Sequence, residues 1–168
     1  MRPKRDASRQ REQPLELPDA LSFMQVLWAV VHALDRTSKR MTSELGVTGP
    51  QRLVLRVVGL RPGISAGELA ATLHVHPSTL TGVLQRLVEQ RLVSREAYET
   101  DRRRVVLHLT ARGALINRIT RGTVEAGVTR ALRGISARDR VTTQKVLQKV
   151  ARALTSSATE GDLGIHRA

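Results

Sequence analysis

The chain has 168 residues, 40% of them hydrophobic and only 2% aromatic, with a formal net charge of +13 and no cysteine. That length suits one domain with an aliphatic core. The missing thiols exclude disulfides, zinc–thiolate sites and thiol redox sensing, and the charge calls for a polyanion or a membrane surface.

Residues 1–16 are polar, basic and without periodicity, and read as a disordered basic arm. No apolar run follows this basic start, so no signal peptide is expected. The longest apolar stretch, Leu21 to Leu34, is interrupted by Ser22, Gln25 and His32 and is too short for a membrane span. The expected location is the cytoplasm, without a membrane partner. Of the 28 basic residues, 24 are arginine. This suits bidentate contacts to phosphate and guanine, and is equally what a GC-rich genome would encode.

The first helix is expected to begin after Pro18 and to reach about Glu44. Its first half is apolar on nearly every side: Leu21, Phe23, Met24, Val26, Leu27, Trp28, Val30, Val31 and Leu34. A surface helix needs only one apolar stripe, so this one requires cover that a small domain can hardly supply, and a second subunit is the natural source. Gly46 ends it. Thr48 and Gln51 form a capping box for a second helix to about Leu60, and Ser65 with Glu68 opens a third through Leu73. After the three-residue turn His74-Val75-His76, Pro77 starts a fourth helix to about Gln90, at the position where a missing N–H does no harm.

Leu69, Ala70, Leu73, Leu80, Val83, Leu84 and Leu87 supply the contacts of two crossed helices, the spacing of a helix-turn-helix. The residues between them face outward. His76, Pro77, Ser78, Thr79, Thr81, Gly82, Gln85 and Arg86 are the candidate DNA contacts of this helix, the hydroxyls for phosphates or base edges, Gln85 for adenine and Arg86 for guanine. Two strands follow, Leu92–Tyr98 and Val105–Leu109, the second with Val105, Leu107 and Leu109 on one face. The turn between them carries Asp101, Arg102, Arg103 and Arg104. Three adjacent arginines repel one another until a phosphate or a narrow minor groove relieves them, and Asp101 is placed to orient the tip. Helix plus basic hairpin is the arrangement of a winged helix. A long helix from Thr110 to about Leu132, holding Gly122 and Gly127 for close packing, and a last helix opened by Ser136 and Asp139 complete the chain.

The pieces VTGPQ, ISAGELA, HPSTLTGVLQRLVEQRLV and D-x-R-x-x-x-L-x-L-T running into TARG resemble, in order and spacing, the DNA-binding core of the multiple-antibiotic-resistance regulator (MarR) family. They span Gly46 to Gly113, and with the flanking helices the resemblance extends from about Leu17 to Leu154. It implies a mainly α fold with a small β-hairpin wing, a winged helix-turn-helix with flanking dimerisation helices. It further implies a homodimer on a pseudo-palindromic operator in double-stranded DNA. The family's wing arginine falls on Arg103 and its acidic partner on Asp101, and its helix contacts fall on Pro77, Ser78, Thr79, Thr81, Gly82 and Gln85. The organisation expected is an arm over 1–16, a dimerisation region over 17–45 and 111–157, a DNA-binding region over 46–110, and a loose tail over 158–168.

The resemblance also implies a small aromatic or anionic effector, bound between the dimer helices and the winged region. Trp28, His32, Arg52 and Arg56 are candidates for its cleft. Read alone, Trp28 equally suits a dimer core, and the two arginines a solvated or DNA-facing surface. The oxidation-sensing cysteine of some members is missing. The five histidines, His32, His74, His76, His108 and His166, lack chelating spacing, so no metal and no cofactor are expected. Without a nucleophile triad, a phosphate-binding glycine loop or paired carboxylates, catalysis is not expected either. The reading is a sequence-specific regulator, most simply a repressor released by a ligand. The alternative is an architectural DNA-binding protein without sequence choice.

Overall fold

The computed structural model describes residues 16–98 and 101–159, apart from the side chains at 98, 101–104 and 157–159. The expected arm over 1–16, apart from residue 16, and the expected tail over 158–168, from residue 160 on, lie outside these residues. The elements in chain order are α1 (Asp19–Leu45), α2 (Gly49–Leu60), β1 (Ile64–Ser65), α3 (Ala66–Leu73), α4 (Pro77–Glu89), β2 (Val93–Tyr98), β3 (Asp101–Leu109), α5 (Ala111–Arg118), α6 (Val124–Leu132) and α7 (Ala137–Thr159).

Local chemistry sets most boundaries. Gly46 takes φ 71°, and its N–H donates to the Thr42 carbonyl, closing α1 with a left-handed residue. The Thr48 backbone N–H donates to Gln51 Oε1 at 2.8 Å, and the Gln51 N–H donates back to the Thr48 hydroxyl at 3.4 Å. Ser65 and Glu68 repeat that box at α3. The turn between α3 and α4 is tight because His74 adopts φ 53°, where its N–H still reaches the Ala70 and Ala71 carbonyls. A non-glycine residue holds that conformation at about 1 kcal/mol.

The core gathers Val54, Leu55 and Val58 of α2, Leu69 of α3, Leu80, Leu84 and Leu87 of α4, Ile64, Val93 and Leu107 of the sheet, and Leu92 just before β2. The sheet order is β1-β3-β2, with Ile64 opposite Leu107 and Arg95 on the other side of the same residue. The two-residue strand β1 was not expected, being too short to show a period. As the middle strand, β3 buries Val106 and Leu107 in succession, while Val105 is 47% exposed. The regular pairing keeps Val105, Leu107 and Leu109 on one face, but the strand is covered on both sides where it crosses the core, and Val105 lies beyond that cover.

Two further expectations change. The single helix from Thr110 to Leu132 is two helices. Ile119 turns to an extended conformation, Gly122 takes φ 77°, and Thr123 caps α6 by accepting from the Ala126 N–H. Gly122 thus serves a turn, and a Cβ on Gly127 would meet nothing within 4 Å, so neither glycine is held by helix packing within this chain. The last helix extends to Thr159, two residues past the expected boundary. The close approach is instead at Gly113, whose Cβ would overlap the Leu92 carbonyl oxygen.

Only the end of α1 joins the core, through Met41, with Ser38 Oγ accepting from the Gly49 N–H at 2.8 Å. The rest of α1 leaves Met24, Val26, Trp28, Val30 and Val31 at least half exposed, and no described residue of α6 or α7 is buried.

Candidate nucleic-acid interface

The α3–turn–α4 unit presents one face of α4 to solvent. Leu80, Leu84 and Leu87 face inward, so helical geometry leaves His76, Pro77, Ser78, Thr79, Thr81, Gly82, Gln85 and Arg86 exposed. All eight expected contacts of this helix thus share its accessible surface. His76 is the N-cap: its Nδ1 accepts from the Ser78 N–H at 3.3 Å and lies 2.7 Å from the Ser78 hydroxyl. The Thr81 hydroxyl donates to the Pro77 carbonyl at 2.9 Å, which keeps it against the helix with its lone pairs outward. A Cβ on Gly82 would meet nothing within 4 Å, so at this point a groove wall can approach the helix backbone itself. The Gln85 amide donates to Glu89 Oε1 at 3.0 Å.

Beside this face stands the β2–β3 hairpin. Cα pairing runs from Val93↔Leu109 to Ala97↔Val105 and then jumps to Tyr98↔Asp101. The backbone of Arg102, Arg103 and Arg104 thus belongs to β3 but faces no residue of β2, where the sequence suggested a turn. The wing-orienting role of Asp101 and the contacts of the three arginines concern side chains outside the described ones.

The four candidate effector residues fall into two places, which corrects the expectation of one cleft. Trp28 and His32 pack edge to face, 5.7 Å between centroids, in an open cleft of about 790 Å³ formed by α1 with Val150 and Leu154 of α7. Arg52 and Arg56 lie instead where α2 meets α5 and α6. Arg52 is neither solvated nor free for a ligand, because its side chain is 1% exposed and four of its five N–H groups donate within the chain. Nε and Nη2 both reach Glu125 Oε1, at 2.7 and 2.6 Å, while Nη1 and Nη2 donate to the carbonyls of Ile116, Asn117 and Ile119. A planar fork suits this set of acceptors as no single point charge would. Arg56, half-buried, donates to the Asn117 carbonyl and side-chain oxygen, both at 3.1 Å.

For Glu125, burial pushes the carboxyl up, but the Arg52 hydrogen bonds, its own backbone N–H, the Arg52 charge and the Thr123 hydroxyl outweigh that and hold it below its ordinary value. The Arg52–Glu125 tie went unread in the sequence because its partners are 73 positions apart. The one local signal was Gly122-Thr123 followed by an acidic residue in the first turn of α6.

Among the described residues no His, Asp and Glu side chains gather into a set of three able to hold a metal ion, and no helix is long and apolar enough to cross a membrane.

Comparison with known proteins places this geometry. Residues 45–104 match the MarR family model. A helix-turn-helix transcriptional repressor of Mycobacterium tuberculosis is 32% identical over 108 residues, covering 64% of this chain and 78% of that protein. The structure of the Staphylococcus aureus MepR–DNA complex aligns over 82% of this chain and 99% of that one, with a TM-score of 0.65 and 15% identity. The Streptomyces coelicolor regulator PcaV, solved with its natural ligand, aligns over 83% and 99%, with a TM-score of 0.64 and 22% identity.

Proposed function

This chain belongs to the MarR family of DNA-binding transcriptional regulators, and we propose that it works as a homodimeric repressor of a pseudo-palindromic operator, released by a small aromatic or anionic ligand. The observation that carries the reading is the outward face of α4. Eight exposed residues, from the His76 cap to Arg86, form a polar strip on a helix whose other face is locked into the core. The α4 N-terminus enters the major groove in this reading, and Arg102, Arg103 and Arg104 reach the neighbouring minor groove or its phosphates.

The dimer reading rests on α1, α6 and α7. Phe23, Met24, Trp28, Val31, Val128, Leu132, Val146, Leu147 and Leu154 are all more than a third exposed. Apolar surface on this scale marks an interaction site, and a second copy brings an identical one. Residues 17–45 and 111–157 then form the dimerisation region, and 46–110 the part that meets DNA. The cleft around Trp28 and His32 is filled by the second copy in this reading. The proposal of an effector draws on PcaV, a regulator of the same fold solved with its ligand.

The test is selection of bound sequences from a random DNA pool at about 150 mM salt, where nonspecific phosphate binding is weakened. A two-fold motif of roughly 16–20 base pairs, with half-sites about one helical turn apart, is the expected result. Tight binding with no enriched motif would replace the regulator by an architectural protein.

A further inference from the structure

One pair on the α4 face is not accounted for by phosphate binding, and as an exposed i,i+4 pair it adds little to stability. Glu89 is the last residue of α4, where the helix dipole disfavours an anion, and it shares the exposed face that is read as meeting DNA phosphates, which repel it. Its carboxylate accepts one N–H of the Gln85 amide at 3.0 Å. Gln85 itself follows Gly82 by one turn, next to the point where the helix backbone is open to a groove wall.

A free glutamine amide is an ambiguous reader, because rotation about its last torsion exchanges donor and acceptor. Bonding the nitrogen to Glu89 removes that ambiguity. It fixes which side of the amide is nitrogen, and it leaves one N–H and the carbonyl Oε1 for a base. Adenine offers N7 as acceptor and N6–H as donor, and alone engages both remaining groups. Guanine offers two acceptors, one of which would face Oε1. Thymine and cytosine each engage only one of the two groups.

We propose that Glu89 is a positioning residue for specificity, holding the Gln85 amide so that each half-site is read at an adenine. This rests on α4 being the DNA-reading helix. An oriented amide–adenine pair discriminates by roughly 5- to 150-fold against other bases.

The test uses the full-length protein and its selected site, with all four bases placed in turn at each half-site position and affinities measured at one salt concentration. Wild type and the variants Gln85→Ala, Glu89→Ala and Glu89→Gln are compared; both positions are exposed, and far-UV circular dichroism verifies the fold. Wild type prefers adenine at one position, Gln85→Ala abolishes the preference, and Glu89→Ala reduces it by part of the roughly 5- to 150-fold that such a pair supplies. Glu89→Gln retains it, since an amide oxygen also accepts the Gln85 N–H. An unchanged preference in Glu89→Ala overturns the inference while leaving the regulator reading intact. So does equal loss in Glu89→Gln, which would make charge the cause, or loss of a cytosine preference, which would make Glu89 itself a base contact. A wild type that selects no motif overturns both readings.

Discussion

Replacing Arg52 by alanine tests the junction between the winged region and the helices that follow it. The side chain is 1% exposed and bonds Glu125 and three carbonyls near the end of α5. Its removal leaves these acceptors facing a cavity. Breaking a buried pair from one side costs about 3–5 kcal/mol. The Glu125 side chain is 32% exposed and can recover water, so the lower end, about 3 kcal/mol, is expected. For a chain of this size that lowers Tm by roughly 6–12 °C. Arg52→Lys recovers little, because one ammonium cannot reach acceptors spread over a fork. Arg56→Ala is the internal control: it is half-buried, bonds Asn117 and stands 4.0 Å from Glu125 Oε1 at the edge of the same pair, so it loses about 1 kcal/mol or less. Thermal and urea unfolding at one fixed protein concentration measures all three, since association adds its own stability. A Tm for Arg52→Ala within about 2 °C of wild type, or an equal loss in Arg56→Ala, would refute the assignment of Arg52 as the clamp.

Acid stability follows from the same pair. The Glu125 carboxyl sits below its ordinary value of 4.5 when folded, so its contribution is complete above that value and disappears as pH falls through the lower folded one. Unfolding free energies from pH 7 to pH 3 should therefore decline less steeply for Glu125→Gln than for wild type, and parallel curves would contradict this. Gly113→Ala places a methyl group on the Leu92 carbonyl oxygen, backbone against backbone; a loss of about 2–3 kcal/mol, or failure to fold, is expected, and urea midpoints within error of wild type would rule it out. Arg103→Ala should weaken operator binding by about 1–3 kcal/mol at fixed salt; unchanged titrations would remove this arginine from the interface. If the dimer buries Trp28, 67% exposed in the single chain, its emission should shift to the red on dilution as sedimentation reports monomer. A constant spectrum through dissociation would place the tryptophan outside the contact.

The amino-acid sequence alone determined the elements whose causes are local. Two capping boxes, the glycine after α1, Pro77 at the start of α4 and the apolar spacing of Leu69 to Leu87 act within a few residues of one another. They were enough to define the helix pair and to place every α4 candidate on one exposed face. Composition did the same for the unpartnered α1, which is apolar on more sides than one chain covers. The tertiary structure decided what depends on distant partners. Arg52 looks like any helix-surface arginine until α5 and α6 fold over it, bringing acceptors from 64 to 73 positions away. The break between α5 and α6 was hidden because the apolar residues on either side continue a helical pattern. Two-residue β1 exists only because Leu107 lies opposite Ile64. In each case short-range propensity was silent or misleading, and the hydrogen-bond requirements of buried groups settled the outcome.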